Sequence, residues 1–309
     1  MRASCCLLVV LGAAALSGAA SDSTKRAPEP HFSVLARSAP SPNDVHWPGQ
    51  WGLHRAGFAS AWNLAQGSRR TIIGVVDTGV DRSHPDLRAA VLSGYDFVDG
   101  DANPSDEHGH GTAVAGILAA RGNNRTGIAG ACWRCRILPV RVLARNGTGN
   151  ATTVAAGITW AVDHGADVIN LSLGGGRSTP ALEHALAYAA RRDVVLVAAA
   201  GNDGSTRRFY PAASRHVVAV AATNRSDGIY RWSNRGGWID TAAPGCNVAT
   251  WRGGGYATFC GTSSAASLVA GLAALVRSAN PEASAAEIER LLDSSRLDAS
   301  LASTALRAR

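Results

Sequence analysis

Three short segments carry the side chains that amide hydrolysis needs when no metal does the work. They are Val75-Val76-Asp77-Thr78-Gly79-Val80, the run from Glu107 through His108 and His110 to Gly116, and Phe259-Cys260-Gly261-Thr262-Ser263-Ser264. Asp77, His110 and Ser263 each sit in a glycine-bearing turn, in the chain order Asp, His, Ser. A serine hydroxyl is a poor nucleophile at neutral pH. It attacks a carbonyl only when an imidazole takes its proton and a carboxylate holds that imidazole in the right tautomer. Singly, these residues read as a solvated strand end, a helix cap and a capping serine. Their order and their turns favour a joint role.

Such side chains need a scaffold that brings distant segments together. Apolar strand-like runs at 71–77, 137–143, 167–173, 194–199 and 217–222 alternate with helical spacing at 110–120, 152–164, 180–192, 263–278 and 284–293. Continuous apolar runs separated by helices imply strands covered on both faces. The expected fold is therefore α/β, a doubly wound, mostly parallel sheet with helices on both faces. Sites in such sheets lie beyond the carboxyl ends of the strands, where Asp77 falls. No internal repeat is visible, and residues 44–300 read as one domain followed by a tail at 301–309.

The chain has 309 residues, 46% of them hydrophobic, which suits a globular protein with a sizeable core. The formal charge of +7 is spread along the sequence without a basic run or an aromatic-interleaved stripe, which argues against nucleic-acid binding. Residues 1–20 read as a secretory signal: Arg2, an apolar stretch at 7–16, and small residues at 18–20. The apolar stretch is short for a spanning helix, so no stable membrane span is expected in the mature chain. Residues 21–43, rich in Ser, Pro and Ala, read as a short pro or linker segment, too small for a folded module. The expected product is extracytoplasmic or secreted, and a monomer.

Beyond the signal lie Cys132, Cys135, Cys246 and Cys260. An even count in an exported chain points to two disulfides. Three pairings are possible. Cys132 with Cys135 closes a tight loop, and Cys246 with Cys260 clamps a hairpin bending at 253–255 just before Ser263. A zinc site or a redox-active C-x-x-C fits the spacing less well.

Taken together, Asp-Thr-Gly at 77–79, His-Gly-Thr-Ala-Val-Ala-Gly at 110–116 and Gly-Thr-Ser at 261–263 resemble the subtilases, the subtilisin-like serine peptidases, and among them the thermitase-like branch. The resemblance runs from about residue 43 to 293. It makes Asp77, His110 and Ser263 a triad, with His108 a decoy two residues too early. It implies that Asn202, in Ala-Ala-Ala-Gly-Asn at 198–202, donates its amide to an oxyanion beside the Ser263 N–H. It also implies that an extended polypeptide lies between Gly147 and Gly149 on one side and Ser172, Leu173 and Gly174 on the other. Ser264 and Ser267 depart from the family pattern, where Met and Pro are usual.

Five carboxylates crowd into residues 96–107. Charges so dense repel one another unless a hard cation neutralises them, and calcium suits an extracellular site. The spacing matches a calcium loop of the thermitase-like branch, with Asp96, Asp99 and Asp101 as ligands. The resemblance implies a second calcium site at Asp44, Asp86 and Asn124, completed by backbone carbonyls. The activity expected from these features is secreted serine endopeptidase chemistry. The rivals are a catalytically inactive binding protein on the same scaffold, and an esterase or acyltransferase using the same triad.

Overall fold

Seven strands hydrogen-bond side by side, all parallel, in the computed structural model, which describes residues 41–293, 297 and 298. The expectations for residues 1–20, for most of 21–43 and for 301–309 lie outside the described residues. In chain order the strands are β1 (Ile72–Asp77), β2 (Tyr95–Asp96), β3 (Arg136–Arg141), β4 (Val168–Leu171), β5 (Val195–Ala199), β6 (Val218–Thr223) and β7 (Thr241–Pro244). They lie in the spatial order β2-β3-β1-β4-β5-β6-β7. The chain thus steps from β1 to one side of the sheet and then returns past it to the other. The crevice beyond the carboxyl end of β1 is the topological switch point, where open α/β sheets bind ligands. Asp77 is the last residue of that strand.

Strand side chains alternate between two packed layers. Ile73 and Val75 of β1 and Val195, Val197 and Ala199 of β5 face one core. Val76 of β1 and Leu196 and Ala198 of β5 face the other. The first layer is covered by α3 (His110–Ala119) and α6 (Thr262–Ala279), the second by α4 (Ala151–Asp163) and α5 (Pro180–Arg191). Each fully buried Leu or Ile contributes about 1.5–3 kcal/mol, so continuous apolar strands are needed to hold both layers. Two short helices, α1 (Trp51–Arg55) and α2 (Phe58–Ala61), precede β1, and α7 (Ala285–Leu292) follows α6.

Local signals set the helix starts. Asn150 Oδ1 caps α4 by accepting from Thr153 N, and Thr179 caps α5 ahead of Pro180. Ser284 and Glu287 form a capping box on α7. Among the described residues, α6 alone is long and apolar enough to cross a membrane, with mean hydropathy 1.2, yet 89% of it is buried inside the protein.

Beyond the sheet, β8 (Cys246–Trp251) and β9 (Gly255–Cys260) form an antiparallel hairpin leading into α6. Cys246 and Cys260 are register partners at its base and are disulfide-bonded, as are Cys132 and Cys135. Both pairs are those the spacing favoured.

Candidate active site

Three elements deliver the reactive side chains to the switch point. Asp77 ends β1 and is fully buried. Its Oδ1 accepts the Thr78 N–H at 2.7 Å and lies 2.7 Å from His110 Nδ1. Asp77 Oδ2 is buried and has no donor among the described residues. His110 is the first residue of α3, and its Nε2 lies 3.2 Å from Ser263 Oγ. Phe259 meets the imidazole edge-on, with ring centroids 5.1 Å apart. Ser263 follows Thr262 in the first turn of α6, after Gly261 at φ 148°, a backbone angle only glycine adopts without strain. His108, the rival imidazole, lies across the cleft against Gly147.

The charge state of His110 follows from its neighbours. Burial alone would favour the neutral ring. The Asp77 carboxylate, its hydrogen bond and the nearby charge of Asp106 outweigh that, so the imidazole holds its proton above the usual histidine range. Asp106 does more than repel or attract. It is buried, and its Oδ1 accepts the N–H groups of His108 and Gly109 and the Thr78 hydroxyl. Its Oδ2 accepts from Thr112 N at 2.9 Å and Thr112 Oγ1 at 2.6 Å. One carboxylate thus fastens the start of α3 to the end of β1, and with it the distance between His110 and Asp77. In the sequence Asp106 falls within the acidic run at 96–107. Its place four residues before His110, ahead of a helix, was the signal for a helix-start acid.

On the far side of Ser263 the groups are neutral. Asn202 Oδ1 accepts from Thr262 N at 2.9 Å and Thr262 Oγ1 at 3.0 Å. That leaves the exposed Nδ2 group of Asn202 without a protein acceptor among the described residues. Ser172 and Ser263 are hydrogen-bonded through each other's carbonyls, hydroxyl to oxygen, at 3.3 Å both ways. Ser264 Oγ accepts from Asn247 Nδ2 at 2.8 Å, and Ser267 Oγ donates back to Ser263 O at 2.8 Å. The two departures from the family pattern are therefore buried hydroxyls with partners.

A cleft of about 590 Å³ opens beside His110. Gly147 and Gly149 line one wall, and Ser172, Leu173 and Gly174 line the other. The structure brings together all five residues that the resemblance paired. Leu143, Val154 and Leu182 supply an apolar floor.

The two acidic regions differ. Arg141, buried at the end of β3, places Nη1 2.7 Å from Asp96 and 2.9 Å from Asp99, and Nη2 2.8 Å from Glu107. Its guanidinium supplies counter-charge to this acidic run, while the exposed Asp101 accepts Asn103 N on its carboxylate and Asp96 N on its carbonyl. Asp96 and Asp99 are thus paired with an arginine in this structure, and among the described residues no three His, Cys, Asp or Glu side chains converge. An arginine within the otherwise apolar run 137–143 was the overlooked sign.

Asp44 and Asp86 are different: both are buried, and among the described residues no Lys or Arg forms a salt bridge with either. Burial and the charge of Asp86 push the Asp44 carboxyl up. Asn124 bridges them, taking Asp44 on its N–H and donating Nδ2 to Asp86 at 3.0 Å. Two unneutralised buried carboxylates with an amide between them fit a hard cation.

The sequence profile of the subtilase family matches residues 68–306. The chain is 48% identical to a thermophilic serine proteinase of Bacillus sp. (strain AK1) over 252 residues, 81% of this chain and 62% of that protein. It is 46% identical to thermitase of Thermoactinomyces vulgaris over 246 residues, 79% of this chain and 88% of the other. Among solved structures, proteases from Pseudoalteromonas arctica PAMC 21717 superpose with a TM-score of 0.81 at 33% identity, covering 86% of this chain and all of theirs. A cold-adapted subtilisin-like serine proteinase superposes with a TM-score of 0.71 at 34% identity, covering 81% of this chain and 91% of its own.

Proposed function

Because the chain belongs to the subtilase family, we propose that it is a serine endopeptidase acting on polypeptides. The observation that carries the reading is the unbroken line from Asp77 Oδ1 to His110 Nδ1 at 2.7 Å and from His110 Nε2 to Ser263 Oγ at 3.2 Å. Asp77 fixes the tautomer that leaves Nε2 free to accept a proton. Ser263 Oγ attacks the scissile carbonyl as its proton passes to Nε2. The tetrahedral oxyanion is stabilised by Asn202 Nδ2 and the Ser263 N–H, which the first turn of α6 leaves without a helical partner. His110 then protonates the leaving amine, and an acyl-enzyme remains on Ser263. Water, deprotonated by the same nitrogen, releases the second product.

The cleft supports an extended substrate. Backbone at 147–149 and at 172–174 lines it, and two such edges suit strand-like pairing with a peptide's main chain. A small ester would leave most of that cleft empty. Calcium, if bound, is held by Asp44, Asp86 and Asn124, where it ties the segment ahead of α1 to the core. Residues 1–20 are proposed as a signal that exports the chain, and the two disulfides suit that destination.

A fluorophosphonate probe should label the wild-type protein and not Ser263→Ala. Casein digestion should follow the label. Labelling without digestion makes the protein an esterase, and absence of labelling makes it a binding protein.

A further inference from the structure

The oxyanion-side turn is held by a side chain that no catalytic role requires. Asn234 is 1% exposed, and its side chain spans the neck of the loop that carries Asn202. Its Nδ2 donates to Ala200 O at 2.8 Å, on the near side of the turn. Its Oδ1 accepts from Asp203 N at 3.1 Å and Ser205 N at 2.9 Å, on the far side. The backbone joins in, with Asn234 N donating to Gly201 O at 3.0 Å. The fit is close: a methyl group at Gly201, whose φ is 97°, would sit 2.5 Å from Asn234 Nδ2.

Asn234 is itself anchored to the sheet. Ser233 Oγ accepts from Ala222 N of β6 at 3.0 Å and donates to Asn234 O at 3.1 Å. From the opposite side Thr262 Oγ1 accepts from Gly201 N at 3.0 Å and donates to Asn202 Oδ1. The turn is therefore gripped from β6 and from α6, and Asn202 stands between the grips. A buried amide with every polar atom paired across a turn fixes geometry at little cost in mobility.

We propose that Asn234 is a positioning residue for the proposed oxyanion donor: it clamps the 200–205 turn so that the Asn202 amide is aimed before substrate arrives. This rests on the assignment of Asn202 as that donor. Pre-aimed donors matter because a hydrogen bond to developing charge loses its effect when the donor must first be reoriented.

The test is a double-substitution cycle, read as kcat and KM on a chromogenic peptide amide, with active sites counted by fluorophosphonate titration. Asn202→Ala alone should lower kcat on the order of a hundredfold. Asn234→Ala alone should lower kcat by about tenfold with KM little changed, since only the donor's aim is lost. In the Asn202→Ala background, Asn234→Ala should have almost no further effect, because nothing remains to aim. A full, multiplicative loss in that background makes Asn234 a general structural residue and overturns the proposal, as does an unchanged kcat in the single variant. An unchanged kcat for Asn202→Ala alone instead refutes the donor assignment. Should Asn234→Ala yield no folded protein, Asn234→Asp carries the same cycle. It keeps the volume and the two accepted bonds, but it turns the bond to Ala200 O into an oxygen–oxygen repulsion and buries a charge, so the cycle is read only on the titrated, folded fraction.

Discussion

The two flanks of Ser263 are built from different physics. On the His110 side the arrangement is charged: Asp77 and Asp106 are buried carboxylates, and they hold the imidazole's proton above its usual range. On the Asn202 side the partners are the neutral amide and hydroxyl groups of Asn202, Thr262 and Asn234. A charged relay answers to pH and tolerates small displacements, because electrostatic energy falls slowly with distance. A neutral donor ignores pH but answers to angle and distance, because hydrogen bonds weaken steeply when bent. The molecule therefore separates its sensitivity to protons from its sensitivity to position.

The sign of the pH effect follows. With its pKa raised above the ordinary 6.5, protonated His110 stabilises the folded chain fully below that ordinary value. This contribution fades as the pH rises through the raised one. The proposed mechanism requires the neutral ring, so activity should climb over the same window in which that stabilisation is lost.

The largest break should come from Asp77→Asn. Turnover should fall by about ten-thousandfold, the loss that a mis-set histidine tautomer brings to serine peptidases. The residual activity should have its acid limb moved to lower pH, measured as kcat/KM against pH. Asn202→Ala should cost on the order of a hundredfold in kcat and leave that limb where it is; a moved limb would mean the two flanks are not separate. Asp106→Asn should move the acid limb down with a smaller loss of turnover. It should also cost about 1–3 kcal/mol in urea unfolding, because Asn cannot accept all the donors that Asp106 satisfies. Chelation should touch neither flank. It should lower Tm by about 2–4 °C for each kcal/mol of lost binding and hasten self-digestion, while kcat per titrated site stays constant. Asp44→Asn should abolish that response and Asp99→Asn should not.

The scaffold, and the three side chains proposed to react, were readable in the sequence for one reason. Both depend on local signals: apolar runs that must be covered on two faces, and glycine turns that present a side chain. β7 escaped, since Thr-Ala-Ala-Pro has small side chains and a proline at the sheet edge. The supports of the site escaped because they are long-range. Arg141 answers acids 34 to 45 positions away, so charge density in one loop did not show where an arginine counter-charge would come from. Asn234 reaches back about thirty positions, and nothing near it in the chain announces that reach. Asp44 and Asp86 were matched through family likeness, and neither forms a salt bridge with a Lys or Arg among the described residues, which adds an independent reason.

Ser263 is not mounted on a surface loop. It opens α6, a helix buried for nearly its whole length between sheet, α3 and hairpin. Whatever loosens the nucleophile must also open the centre of the protein. A peptidase so made does not wear out gradually at its working edge; molecules are either intact or digestible by their intact neighbours. Its useful lifetime in solution is then an unfolding rate rather than an equilibrium, and inactivation should quicken with enzyme concentration.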